Sequence, residues 1–240
     1  MNFIEGEVLY VNKPLHWTSF NLVSKLRWRM QKTLKIKKLK VGHAGTLDPL
    51  ASGVMIICTG KKTKLIESFQ YQTKEYIATL KLGATTPSFD LELGVDGTYT
   101  TEHINRALID KVIPSFVGEI WQVPPVYSAV KVDGKRAYDY ARDGQEVELK
   151  AKLLVIDEIE VIDYASEILK IRVVCSKGTY IRALARDIGL ALESGAHLIA
   201  LERTRIGEVS LKDCWEIEDL VTHIANISEV VTHQALPLKR

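Results

Sequence analysis

The amino-acid sequence predicts an α+β fold. Strand-like and helix-like segments mix along the chain without the regular βαβ alternation of a doubly wound sheet, and no internal repeat or low-complexity tract divides it. Its 240 residues, 46% of them apolar, can bury a sizeable core. Charged residues make up 26% and the formal net charge is +2, a balance that excludes intrinsic disorder. No stretch approaches the ~20 apolar residues of a membrane span. Glu5 and Glu7 stand where a signal peptide needs a basic start, so a cytoplasmic protein is expected. Cys58, Cys175 and Cys214 lie far apart among strand-like or aromatic neighbours, which predicts reduced, buried side chains and no zinc site.

The opening GEVLYVNKP reads as a strand stopped by Pro14, which has no amide to donate. Thr18 or Ser19 can cap the next segment, where Phe20, Val23, Leu26, Arg27 and Met30 recur near helical spacing, so residues 19–32 form an amphipathic helix with a basic polar side. A Lys-rich loop and the Gly-rich loop 42–53 follow, ending in the buried-strand run VMIICTG. Residues 74–83 alternate as a strand, and residues 84–97 have the Pro, Ser, Asp and Gly content of a long irregular excursion. A helix is expected over 101–112, extended backbone at Pro124-Pro125, and an Asp133-Gly134 hairpin before a short helix holding Tyr138 and Tyr140. A strand over 168–178, a helix over 179–195 finishing at Gly195, and a strand pair within 201–211 complete the chain.

Charge is unevenly placed. Residues 1–80 carry a net charge of +8 and residues 81–240 carry −6. Lys25, Arg27, Arg29, Lys32, Lys35, Lys37, Lys38 and Lys40 crowd into sixteen residues with Trp28 and Met30 between them, the composition of a phosphate-binding surface or of a solvated helix face. Downstream, Asp48 sits in Gly42-His43-Ala44-Gly45-Thr46-Leu47-Asp48-Pro49-Leu50-Ala51-Ser52-Gly53. Small residues there let another backbone come close, and Pro49 keeps Asp48 out of the helical region, which suits a presented carboxylate as well as it suits a plain turn.

This dodecapeptide resembles the signature of the TruB-type tRNA pseudouridine synthases, which isomerise the uridine at position 55 in the TΨC loop of tRNA. The resemblance extends in order to Asn12-Lys13-Pro14 with Thr18-Ser19, Lys74-Glu75-Tyr76-Ile77-Ala78 with Leu82-Gly83, residues 122–131 (QVPPVYSAVK), Lys177-Gly178-Thr179-Tyr180-Ile181-Arg182, and Leu201 with Arg203-Thr204. It covers residues 5–210 and implies the pseudouridine-synthase catalytic fold, a mixed and mostly antiparallel sheet flanked by helices. Residues 1–240 are then one catalytic domain, with a short C-terminal extension over about 216–240.

The resemblance implies that a uridine C1′–N1 bond breaks, the uracil turns in the pocket, and C5 joins C1′, without a cofactor or metal. It places the essential carboxylate on Asp48, as nucleophile on C1′ or as the base opening a glycal route. An anion in a closed, partly apolar pocket needs a fixed cation beside it, and Arg182 is the candidate. Tyr76 is implied to stack on the target base and help remove the C5 proton, and Tyr180 to meet the uracil edge. Because the base must leave its stack, His43 is implied to fill the vacated space, with Leu201 walling the pocket and Asp90 at an acidic position of a mobile loop. Lys35, Lys37, Lys38 and Lys40 are then assigned to tRNA phosphates.

The sequence departs from the family at Leu15-His16-Trp17, where a small pair ending in glycine is usual, and at Glu202, where arginine is usual. Many members carry a C-terminal PUA domain, and the roughly 25 residues after position 215 are too few for one. The expected partner is therefore the TΨC stem-loop of tRNA, bound by a monomer without guide RNA or membrane. A tRNA-folding factor without chemistry, a guide-dependent dyskerin-like synthase and a carbohydrate hydrolase are the rival readings. The last lacks a motif-placed second carboxylate to act as acid.

Overall fold

The structure, a computed structural model, describes residues 1–128, 130–132, 134–145 and 147–233. The elements run β1 (Val8–Lys13), α1 (Ser19–Leu34), β2 (Val41–His43), β3 (Ala51–Thr59), α2 (Ile66–Tyr71), β4 (Lys74–Leu82), β5 (Ala84–Thr85), β6 (Gly97–Thr98) and α3 (Arg106–Val112). They continue with β7 (Gly118–Gln122), β8 (Lys131–Val132), β9 (Lys135–Arg136), α4 (Ala137–Arg142), β10 (Lys152–Ala165), β11 (Ile168–Cys175), α5 (Ile181–Ala191), β12 (Ala196–Ile206), β13 (Val209–Ser210) and α6 (Ile217–His233). Mixed sheet structure flanked by helices is what the sequence anticipates. The chain divides into two compact units, residues 1–72 with the chain from Arg203 onward, and residues 73–202.

In the first unit β1 and β3 pair antiparallel from Val8↔Cys58 to Lys13↔Gly53, and β2 pairs with the far end of β3. The run Val54 to Thr59 is buried at every residue, which requires cover on both faces. Met55 and Ile57 face a core shared with Leu22, Leu26 and Met30 of α1 and Ile217, Leu220 and Ile224 of α6. Val54, Ile56 and Cys58 face Ala44 and Ile206, against which Ile66 and Phe69 pack. Thr18 is the cap of α1, its Oγ1 accepting from the Asn21 amide at 3.0 Å. Lys35, at φ 54, ends the helix by returning its amide to the Gln31 and Lys32 carbonyls.

The second unit is a sheet of order β12-β4-β11-β10-β7, antiparallel where β4, β11, β10 and β7 meet. Lys74, Tyr76, Ala78, Leu80 and Leu82 of β4 are buried while the residues between them are half-buried. That period of two gives the sheet one covered face, on which α5 packs, and one wetter face. On the wetter face Arg172 holds three carboxylates, bonding Glu160 at 2.8 Å, Glu75 at 3.1 Å, and Glu158.

Some boundaries differ from the expected ones. β3 starts at Ala51, inside the stretch read as loop, because Gly53 pairs with Lys13. α3 begins at Arg106, where Asn105 Oδ1 accepts from the Leu108 amide at 3.0 Å. α5 ends at Ala191 rather than at Gly195, since Glu193 already takes φ 52 and breaks the helix. Gly195 serves packing instead, as a Cβ there would stand 2.6 Å from the Tyr99 ring. The strands of the expected hairpin are β8 and β9, but Asp133 of its turn lies outside the described residues, as does Ala129. β7, β10 and α6 carry no sequence signal as clear as the other elements. In β10 two register shifts, at Ile156/Glu158 and Val161/Asp163, break the alternation that marks a strand.

Gly53, at φ +114, lets the strand carrying Arg203 come so close that a Cβ would stand 2.2 Å from the Arg203 carbonyl oxygen. Gly53→Ala should therefore destabilise the fold by about 2–4 kcal/mol, through backbone strain and a clash that cannot relax locally. A urea midpoint equal to the parent's would refute this.

Candidate active site

Within the first unit the loop carrying Asp48 is pinned from three sides. Ser19, the residue after the α1 cap, donates from Oγ to the Leu47 carbonyl at 3.0 Å and accepts from the Leu47 amide at 2.9 Å. The His16 amide donates to the Pro49 carbonyl at 2.7 Å, with His16 at φ 66. The departure at Leu15-His16-Trp17 thus keeps the left-handed turn that glycine would favour. The third restraint is the buried Arg203, whose Nε donates to the Val54 carbonyl at 2.8 Å, while Nη1 and Nη2 reach the Thr46 and Gly45 carbonyls at 3.4 and 3.3 Å. Asp48 is half-buried, and its carbonyl accepts from the Ala51 amide at 3.1 Å.

Beside this loop lies Lys13, the last residue of β1 and fully enclosed. Its Nζ donates to the Trp17 carbonyl at 2.6 Å and the Pro14 carbonyl at 2.9 Å. Burial pushes its pKa down from 10.5 to about 8; the Asp48 carboxylate opposes that fall and Arg203 reinforces it. Lys13 is therefore a cation of the same unit that interacts with the Asp48 carboxylate, and Arg203 is a second charge acting on Lys13. Sequence reasoning treated Lys13 and Arg203 only as parts of motifs. The available signal was a lysine closing a strand whose alternate residues are apolar.

His43 ends β2 and is half-buried. Burial lowers its pKa from 6.5, a backbone contact with Gly45 opposes this, and Arg203 adds to the lowering, so the imidazole is neutral near pH 7. Its Nδ1 is enclosed without a hydrogen-bond partner among the described residues. Lys35, Lys37, Lys38 and Lys40 are all exposed, as phosphate contacts require. Other cations of the basic run are engaged in the fold: Lys25 pairs with Glu218, Arg27 bonds the Val41 carbonyl at 2.8 Å, and Arg29 bonds the Val221 carbonyl at 3.3 Å.

The second unit holds the remaining site residues. Tyr76 lies on the covered face of its sheet, 9% exposed. Tyr180 precedes α5 and is clasped by one amide side chain: Gln122 Oε1 accepts from the Tyr180 amide at 2.9 Å, and Gln122 Nε2 donates to its carbonyl at 3.2 Å. Arg182, in the first turn of α5, is buried; Nη1 donates to the Ser88 carbonyl at 3.2 Å and Nη2 to the Tyr127 carbonyl at 2.9 Å, while Nε stands 3.7 Å from Asp90 Oδ2. Asp90 is buried too, its Oδ1 accepting from the Glu92 amide at 2.9 Å. The structure thus joins Arg182 and Asp90 as an ion pair. Leu201 is half-buried on β12. Among the described residues no three His, Cys, Asp or Glu could hold a metal ion, and no helix is long and apolar enough to cross a membrane.

A family model described as TruB family pseudouridylate synthase (N terminal domain) matches residues 31–181, and one described as tRNA pseudouridylate synthase B C-terminal domain matches residues 182–238. A protein of Parabacteroides distasonis named tRNA pseudouridine synthase B is 68% identical over 92% of this chain and 94% of its own length. One of the same name from Flavobacterium johnsoniae is 50% identical over 90% and 94%. A chain of a Cbf5-Nop10-Gar1 complex superposes with TM-score 0.69 at 30% identity, and one from an H/ACA RNP bound to a substrate RNA containing 2′-deoxyuridine with 0.66 at 27%. This chain is covered to 95% in both and spans only 57% and 56% of those solved chains.

The lowered pKa of Lys13 fixes a pH dependence. Between about 8 and 10.5 the unfolded chain binds more protons at this residue than the folded one, so its burial penalty is full below pH 8 and relieved as pH rises. The relief is of order 3 kcal/mol. Cys58 and Cys214, raised by burial to about 11, act in the opposite sense but equally in parent and variant. Stability relative to Lys13→Met should therefore climb from pH 8 to pH 10; parallel urea midpoints across that range would count against it.

Proposed function

This chain belongs to the TruB family of pseudouridylate synthases, and from that premise we propose that it isomerises uridine to pseudouridine at position 55, in the TΨC loop of tRNA. Residues 1–240 act as one catalytic domain, a monomer working in the cytoplasm without guide RNA, cofactor or metal. The observation that best supports this is the loop of Asp48, held rigid by Ser19, His16 and Arg203 beside the buried ammonium of Lys13. These restraints fix the backbone from which the carboxylate projects, as a reaction at one carbon atom demands.

The uridine leaves its stack, and His43, a neutral ring, takes the vacated space. Asp48 then acts as nucleophile on C1′ or as the base opening a glycal route. In either case the C1′–N1 bond breaks, the uracil turns in place, C5 bonds to C1′, and the proton on C5 is removed and one returned to N1. The product is an isomer, with no atom gained or lost. Tyr76 stacks on the uracil and assists removal of the C5 proton, Tyr180 meets the uracil edge, and Leu201 walls the base. Arg182, held by Asp90, supplies the cation that keeps negative charge tolerable in a closed site.

Binding and chemistry are separable in this scheme, because phosphate contacts give affinity and one carboxylate gives turnover. Asp48→Asn should lower turnover at least about a thousandfold with tRNA affinity changed little. Near-parent conversion of unmodified tRNA by the Asn variant would remove Asp48 from the mechanism, and conversion at a uridine other than 55 would remove the position assigned.

The solvent-facing cations Lys35, Lys37, Lys38 and Lys40 should carry much of the salt dependence of tRNA binding. Taking away one lysine–phosphate interaction should flatten the log–log salt slope by roughly 0.7–0.9. Replacing all four with Gln should raise apparent KM at moderate salt and leave the single-turnover rate at saturating tRNA near the parent's. Superimposable salt slopes for parent and variant would show that the run does not touch RNA.

A further inference from the structure

Phe89 has a backbone conformation that its side chain does not favour. It takes φ 61, a left-handed region costly for an aromatic residue, between two buried neighbours, Ser88 and Asp90. Such a conformation persists only where the surroundings over-determine it. Here the Phe89 amide donates to the Thr86 carbonyl at 3.1 Å, its carbonyl accepts from the Leu198 amide at 2.9 Å, and Thr86 Oγ1 donates to the Asp90 carbonyl at 2.7 Å. A further restraint is on the side chain: the Arg186 guanidinium lies over the Phe89 ring, 4.9 Å from its centroid.

Arg186 and Arg182 stand one turn apart on α5 and so share a helix face. Arg182 takes the Ser88 carbonyl and the Asp90 carboxylate, the residues on either side of Phe89. Arg186 takes the ring between them. Each also holds a carbonyl of a second segment, Arg182 that of Tyr127 at 2.9 Å and Arg186 that of Val123 at 3.1 Å. Arg186 is oriented in turn by Asp187, whose Oδ1 accepts from Nε at 2.7 Å. The two arginines therefore grip the same two segments in parallel.

We infer that Arg186 is a positioning residue: by seating the Phe89 ring it holds the Ser88–Asp90 turn in the form that aims the Asp90 carboxylate at Arg182. This rests on the proposed part of Arg182 in the reaction. Without the seat, a turn strained at Phe89 has an easier conformation available with φ below zero, and in that conformation Ser88 and Asp90 no longer converge on one guanidinium. The loss falls on the chemical step, because the tRNA phosphate contacts assigned above lie elsewhere in the chain.

The test measures single-turnover rate at saturating tRNA together with tRNA dissociation constant. Arg186→Met and Phe89→Leu should each lower the rate about tenfold with the dissociation constant within about twofold, and the double variant should be no slower than either single one. Phe89→Tyr, which keeps the ring face, should retain the parent rate, and Arg186→Lys, which keeps a cation but not the planar fork, should fall between. Losses that multiply in the double variant, a change confined to the dissociation constant, or a slow Phe89→Tyr would overturn the inference. If Phe89→Leu does not fold, the Arg186→Met and Phe89→Tyr results decide alone. Arg182→Met is the reference. Parent-like turnover by that variant would overturn the reading on which this rests, whereas an inactive Arg182→Met beside a fully active Arg186→Met would overturn only the part given to Arg186.

Discussion

The buried guanidinium of Arg203 is the interaction on which the placement of Asp48 depends. It spends its donors on the backbone, bonding the carbonyls of Gly45, Thr46 and Val54, and so closes the loop of Asp48 onto the strand that follows it. A main-chain anchor constrains the path of a loop more tightly than an ion pair at its tip, since it fixes peptide planes rather than a mobile side chain. The close approach of the Arg203 strand depends on Gly53, so the small residues of the motif first make room for this protein's own backbone.

Placing a buried positive charge near a carboxylate has a thermodynamic consequence visible at Lys13. An enclosed ammonium is disfavoured by desolvation, which lowers its pKa; Asp48 opposes that fall and Arg203 adds to it. The neighbouring strand β3 is buried on both faces, under α1 and α6 on one side and Ile66 and Phe69 on the other. Local strain at Phe89 in the second unit follows the same pattern, with α5 and β12 supplying the compensation.

Charge is divided by purpose along the basic segment. Lys25, Arg27 and Arg29 face inward enough to tie α1 to α6 and β2, so they contribute to the fold. Lys35, Lys37, Lys38 and Lys40 lie at and beyond the left-handed end of the helix, where solvent reaches them, and are available to a polyanion. Composition alone could not make that division, because a lysine facing solvent and one facing a glutamate look alike in sequence.

The sequence by itself determined the elements whose signals are local: β1 ended by Pro14, α1 behind Thr18, β4 by its period of two, and the motif loop that carries Asp48. The resemblance of its motifs to a family assigned candidate roles to Asp48, Tyr76 and Arg182, since motif spacing survives in one dimension. The sequence did not show β10, whose two bulges scramble the alternation, or α6, whose three core residues matter only once α1 lies against them. Nor could it show that Arg182 meets Asp90, 92 residues earlier, or that Arg203 returns to Gly45, 158 residues earlier, both by bonds of side chains across a folded unit. Those partnerships were decided by tertiary structure alone. A buried charge takes whichever acceptors the packed backbone brings within reach, and that proximity is a property of the closed chain rather than of neighbours in sequence.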